Sequence, residues 1–197
     1  IGQKYAGEAR FDQDALLIRE VFSLTDPPEQ INPASIHDAQ TNKDALYERI
    51  FDAYRKLAAG KDLVIFEGTD YTSTMAALEF DVNAELAGNL AAPVLLVTSG
   101  AGQGLEQIGE DVREAHESLR AHNCSLLGVV VNRFESQDLN RDCAELGRML
   151  ERQGVSLFGA LPPHPLLSKP RLRQVAERLG ARVVYQGDDM TKAVADV

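Results

Sequence analysis

The chain alternates short, near-continuous apolar runs with stretches whose apolar residues recur every three or four positions. The runs are Asp62–Phe66, Val94–Thr98, Leu126–Val131, Ser156–Ala160 and Arg182–Tyr185, rich in Val, Leu and Ile. Strands buried on both faces of a parallel sheet read this way. Helical stripes fill the intervals. Leu17, Val21 and Leu24 follow Asp12, a residue type suited to an N-cap. Leu46, Ile50, Tyr54 and Leu57 follow a Thr41 cap and stop at Gly60. Further stripes run through Val82, Leu86 and Leu90, through Leu105, Ile108, Val112, Ala115 and Leu119, and through Leu139, Cys143, Leu146 and Leu150. A last one follows Pro170, through Leu172, Val175, Ala176 and Leu179 to Gly180. Strand–helix–strand units with short connections predict an α/β fold: a doubly wound, mostly parallel sheet of at least five strands, with helices on both faces. Residues 1–186 are expected to form this domain. Residues 187–197 (GDDMTKAVADV) are expected to begin a linker or a next element, so that Val197 is an internal end.

Composition narrows the function classes. Asp and Glu number 30 against 20 Lys and Arg, a formal charge of -10, which argues against non-specific binding to nucleic acid or an anionic membrane. The apolar runs are strand-sized, far below the ~18 residues of a membrane span. Cys124 and Cys143 have no neighbouring ligand pair and read as reduced core residues in a reducing, cytoplasmic compartment. His37, His116, His122 and His164 lack metal-ligand spacing, and no G-x-S-x-G nucleophile motif occurs. His164 reads as structural.

In open parallel sheets ligands bind at the carboxyl ends of the strands, so the residues just after each run are the candidates. Glu67 and Gly68 follow the first run. A carboxylate there is placed to hold hydrated Mg²⁺, or to accept backbone N–H groups at a strand end. Ser99–Gly104 (SGAGQG) follows the second run and precedes a helix. Its amides could cradle an anion, although a tight turn is the simpler reading. Asn132 and Arg133 follow the third run, and Leu161 to Pro165 the fourth. Asp12 and Asp14, near a helix start, suit capping and the helix dipole. The phosphate-binding G-x-x-x-x-G-K-[ST] loop is absent from all 197 residues.

These pieces stand in a familiar order. Ile1-Gly2-Gln3, Gln13-Asp14-Ala15-Leu16, Phe66-Glu67-Gly68, Val131-Asn132-Arg133 and Gly159-Ala160-Leu161-Pro162 resemble steps of the dethiobiotin-synthetase-like proteins of the P-loop NTPase superfamily. Glu67-Gly68, Asn83-Ala84-Glu85-Leu86-Ala87, Val94–Val97, Gly128–Asn132, Gly159–Pro162 and Gly187-Asp188 together resemble the amino-terminal domain of phosphate acetyltransferase more closely. Cobyrinate a,c-diamide synthase has a related domain. The resemblance implies Mg²⁺ carboxylates at Asp14 and Glu67, and nucleotide contacts at Asn132, Arg133, Pro162 and Gly68. It also implies Mg²⁺ with ATP or another nucleotide as cofactors. The fold's first strand and phosphate loop would lie upstream of Ile1, so no catalytic residue is expected in this chain. The function implied is a nucleotide-sensing regulatory module of a phosphate-acetyltransferase-type protein. The alternative is an ATP-dependent carboxylate-activating ligase of the dethiobiotin synthetase or cobyrinate a,c-diamide synthase type. The partners implied are a small nucleotide or effector, further domains of the same polypeptide and a second copy in a homo-oligomer, without nucleic acid or membrane.

Overall fold

A computed structural model describes residues 13–34, 41–69 and 76–165, and scattered positions beyond 165. The chain divides into two compact units. One comprises Ile1–Pro93 with Ser118–Ser125, the other Val94–Glu117 with Leu126–Val197.

The first unit holds helices α1 (Gln13–Val21), α2 (Pro28–Ile31), α3 (Lys43–Leu57) and α4 (Ala76–Asn89). The cap of α3 is Asn42, not Thr41: the Asn42 side chain accepts the Ala45 N–H at 3.0 Å. Either residue type can cap, and the helix begins after the one whose oxygen reaches the third helical N–H. Leu46 and Ile50 of α3 pack with Val82 and Leu86 of α4 and with Ala34, as the two stripes predict. In α1 the expected stripe faces outward, with Leu17 57% and Val21 65% exposed. Ala15 and, less fully, Ile18 and Arg19 turn inward instead, an i, i+3, i+4 set displacing another on the same helix. The Asp12 cap lies outside the described residues.

Between α3 and α4 the run Asp62–Phe66 forms no strand. Leu63 is 74% and Ile65 83% exposed. The run has the composition of a strand, but a strand exists only through its ladder partner, and none of the described strands pairs with it. Cys124 is a buried free thiol whose Sγ donates to the Ala84 carbonyl at 3.0 Å, and Cys143 is also free.

The second unit is built on three parallel strands, β1 (Val94–Ser99), β2 (Leu126–Asn132) and β3 (Leu157–Leu161), in the order β1-β2-β3. Helices α5 (Leu105–Ala121) and α6 (Leu139–Arg152) make the crossovers; the last residues of α5, from Ser118, belong to the first unit. The α/β class and the parallel sheet flanked by helices are as expected; among the described residues the sheet has three strands, where at least five were expected. Leu96, Val129 and Val131 of the sheet form one core with Ile108 and Val112 of α5 and Leu146 and Leu150 of α6. Two crossovers of one hand stepping in the same direction place both helices on the same face. Leu95, Val97 and Phe158 are 46%, 54% and 61% exposed. Burying seven such side chains is worth roughly 1.5–3 kcal/mol each, and this core holds the unit together. The strands match the expected runs to within a residue. The expected strand Arg182–Tyr185 lies mostly outside the described residues, and its described members Arg182 and Val184 carry no strand. The helix expected after Pro170 and the tail from Gly187 also fall largely outside them. Among the described residues no helix is long and apolar enough to cross a membrane.

Candidate functional site

In the second unit the carboxyl edge of the sheet is assembled by backbone register. Ser99 pairs with Asn132, and Asn132 with Leu161, so the three strand ends lie side by side. Beyond Ser99 the Gly100 N–H donates to the Asn132 carbonyl at 2.7 Å. Gly100 has no room for a side chain there. A Cβ would lie 2.9 Å from Val131 Cγ1 and 3.0 Å from Phe134 Cα. Gly102 adopts φ +67°, which turns the loop toward the start of α5. The glycines of Ser99–Gly104 thus serve a tight strand-to-helix turn.

Asn132 and Arg133 end β2 in an unusual conformation. Arg133 has φ 55°, in the left-handed region that a long side chain seldom occupies. Asn132 Oδ1 accepts the Arg133 N–H at 2.9 Å, and the next residue, buried Phe134, donates its N–H to Leu161 O at 2.8 Å. Held from both sides, the exposed Arg133 guanidinium donates to Ser99 Oγ at 3.3 Å, and that oxygen also accepts the Ala101 N–H at 3.3 Å. Pro162 follows Leu161 and is exposed. The second unit therefore brings Asn132, Arg133 and Pro162 to one edge, next to the turn whose Gly100, Ala101 and Gln103 N–H groups donate to protein acceptors. The guanidinium suits an anion with several oxygens.

Asp14, Glu67 and Gly68 lie in the first unit. Asp14 is the second residue of α1, and its side chain is outside the described residues. Glu67 is exposed, near the end of the irregular segment that follows α3. Phe66 before it meets the Tyr54 ring of α3 at 5.3 Å between centroids. Thr69 after it is buried and bonded to the Asn83 carboxamide of α4. Among the described residues no group of three or more His, Cys, Asp or Glu side chains could hold a metal. Magnesium asks for less, one or two carboxylates with waters and phosphates. The exposed Glu67 carboxylate fits that requirement.

A closely bonded ionisable cluster of the first unit lies elsewhere. Glu85 of α4 accepts the Tyr47 hydroxyl at 2.6 Å and pairs with Lys43, whose ammonium also lies over the Tyr47 ring. Bonds from Lys43 and then Tyr47 hold the Glu85 carboxyl below the usual carboxylate range. Burial first, then the bond to Glu85, pushes the Tyr47 phenol well above its ordinary value. This cluster ties α3 to α4. A hollow lined by Thr41, Asn42, Ala45, Glu48 and Arg49 contains none of the expected site residues. Sequence reasoning assigned no role to Ser99 as the partner of Arg133, or to Asn83. The signal for Asn83 was its place in the run Asn83–Ala87, which marked the resemblance.

A family model described as AAA domain matches residues 4–171. The chain belongs to that AAA domain family. Its α/β layout with a parallel sheet is consistent with a P-loop NTPase-like fold. Among relatives of this AAA domain, the phosphate acetyltransferase of Synechocystis sp. is 27% identical over 184 residues, covering 91% of the chain and 26% of the relative. That of Nitratidesulfovibrio vulgaris is 29% identical over 184 residues, covering 88% and 26%. That of Pseudomonas putida is 29% identical over 197 residues, covering 95% and 28%. The chain spans about a quarter of the length of these relatives. No solved structure matches it significantly.

Proposed function

We propose that the chain is a nucleotide-binding regulatory module of a phosphate-acetyltransferase-type protein, without acetyl-transfer chemistry of its own. The observation that carries this reading is the sheet edge where left-handed Arg133, bonded to Ser99, stands beside Asn132 and the Ser99–Gly104 turn. A backbone held in a costly conformation at a strand end is a common mark of a ligand site. The relatives support the context, since the chain matches one quarter of proteins named for acetyl transfer to phosphate.

In the second unit, this reading has Arg133 bind nucleotide phosphate while Asn132 and Pro162 contact the base. In the first unit, taken by itself, it has Asp14 and Glu67 as Mg²⁺ carboxylates, and Gly68 lets the backbone beside Glu67 approach its ligand. Bound Mg²⁺ would neutralise phosphate charge. The alternative, an ATP-dependent carboxylate-activating ligase, would need a phosphate loop to steer the phosphoryl group. The test is twofold. MgATP should raise the thermal midpoint of the chain in a concentration-dependent way. Acetyl-CoA and phosphate incubated with the chain should yield no acetyl phosphate. A flat midpoint, or acetyl transfer by the chain alone, would contradict the proposal.

A further inference from the structure

Residues 61–69 have no regular secondary structure, and most of the segment is exposed. Two residues beyond Glu67, Thr69 is fixed by one side chain of α4. Asn83 Oδ1 accepts the Thr69 N–H at 3.3 Å, while Asn83 Nδ2 donates to Thr69 O at 3.1 Å and to Thr69 Oγ1 at 3.2 Å. Both ends of the carboxamide are used, and Thr69 is only 6% exposed. Gly68 makes this approach possible. A Cβ on it would lie 3.0 Å from Asn83 Cγ and Nδ2. The complementarity is specific in chemistry: an Asp at 83 could accept the Thr69 N–H but would face the Thr69 carbonyl with a second acceptor. Asn83 itself sits in the middle of α4, whose neighbouring Val82, Ala84 and Leu86 are buried, so its backbone is anchored.

From this geometry we infer that Asn83 is a positioning residue for Glu67. By clamping Thr69 it sets the place of the Glu67 carboxylate, so that Mg²⁺-dependent nucleotide binding depends on a side chain that touches no ligand. The inference rests on the reading of Glu67 as a Mg²⁺ carboxylate. Partners of metal ligands commonly set ligand geometry in this way.

The test is calorimetric titration of ATP into the chain, with and without Mg²⁺, for the unaltered protein and for Glu67→Gln, Asn83→Ala, Thr69→Val and Thr69→Ser. The expected result is that Asn83→Ala lowers the Mg²⁺-dependent gain in affinity about tenfold, within the range usual for such partners. Mg²⁺-free ATP affinity should be unchanged. Adding Asn83→Ala to Glu67→Gln should cost nothing more, because both act through one carboxylate. Thr69→Val should show a smaller loss and Thr69→Ser none. If Asn83→Ala does not fold, the Thr69 pair decides the matter in the same way. A Mg²⁺ gain that survives Asn83→Ala and Thr69→Val, or equal losses with and without Mg²⁺, would overturn the positioning role and leave the nucleotide reading intact. An unaltered chain with no Mg²⁺-dependent ATP binding would overturn both.

Discussion

Arg133 and Ser99, 34 residues apart in sequence, meet at the carboxyl edge of the sheet, where the guanidinium donates to the hydroxyl at 3.3 Å. The contact exists because β1 and β2 pair in parallel with Ser99 opposite Asn132. It also needs Arg133 to turn into the left-handed region, which Asn132 Oδ1 and the Phe134–Leu161 bond enforce. Any anion held there meets side chains from two strands, next to the turn that joins β1 to α5.

Gly100 is the tightest point of that turn. Gly100→Ala would press a methyl against Val131 and the Phe134 backbone. The expected cost is about 1–3 kcal/mol, typical of overpacking a close-packed site. Urea denaturation checks this, and an unchanged midpoint would show that the strand ends separate easily. Gly102→Ala should cost less, about 1 kcal/mol, because it meets φ strain but open space.

The Glu85 cluster predicts a pH dependence. Its carboxyl is held below the usual range by Lys43 and then Tyr47. A depressed carboxylate contributes stability above its unfolded value and loses it as pH falls through the folded one. The difference in unfolding free energy between the native chain and Glu85→Gln should therefore be full near neutral pH. It should begin to shrink below about pH 4.5 and vanish in stronger acid. At neutral pH it is expected to be about 1 kcal/mol, since the pair is partly exposed. A difference that grew on acidification would contradict the assignment.

The sequence made much of the second unit legible. Ile108, Val112, Leu146 and Leu150 fell where 3.6-residue periodicity places them, and all are fully buried. Val94–Ser99 and Leu126–Asn132 were marked by unbroken β-branched and aliphatic runs, and the positions after them could be marked as a ligand edge. Asp62–Phe66 has the same composition but no ladder partner among the described residues, and pairing is a long-range property that a local run does not encode. Nor was the left-handed turn legible, because Arg carries none of the turn chemistry of Gly or Asn. The Asn83 clamp spans 14 residues and depends on a single carboxamide meeting a backbone N–H and carbonyl. Nothing in the spacing of apolar residues announces such a contact.

Helix α6 begins with a capping arrangement that can be tested separately. Asp138 accepts the Arg141 N–H at 3.1 Å, and Ser136 Oγ accepts the Asp138 N–H while donating to Asp142 at 2.7 Å. Asp138→Ala should destabilise the chain by about 1 kcal/mol, the usual worth of an N-cap. Asp138→Asn should retain most of the stability. Equal losses in both variants would mean that charge near the helix start, not the accepted hydrogen bond, is what counts.

The most direct measurement is calorimetric titration of ATP, in the presence of Mg²⁺, into the native chain and into Arg133→Ala. The account predicts saturable binding to the native chain. It predicts about tenfold or greater weakening in Arg133→Ala, as expected for loss of a hydrogen bond to a charged group worth about 1.5–3 kcal/mol. No saturable binding to the native chain, or equal affinity in a folded Arg133→Ala, would contradict it.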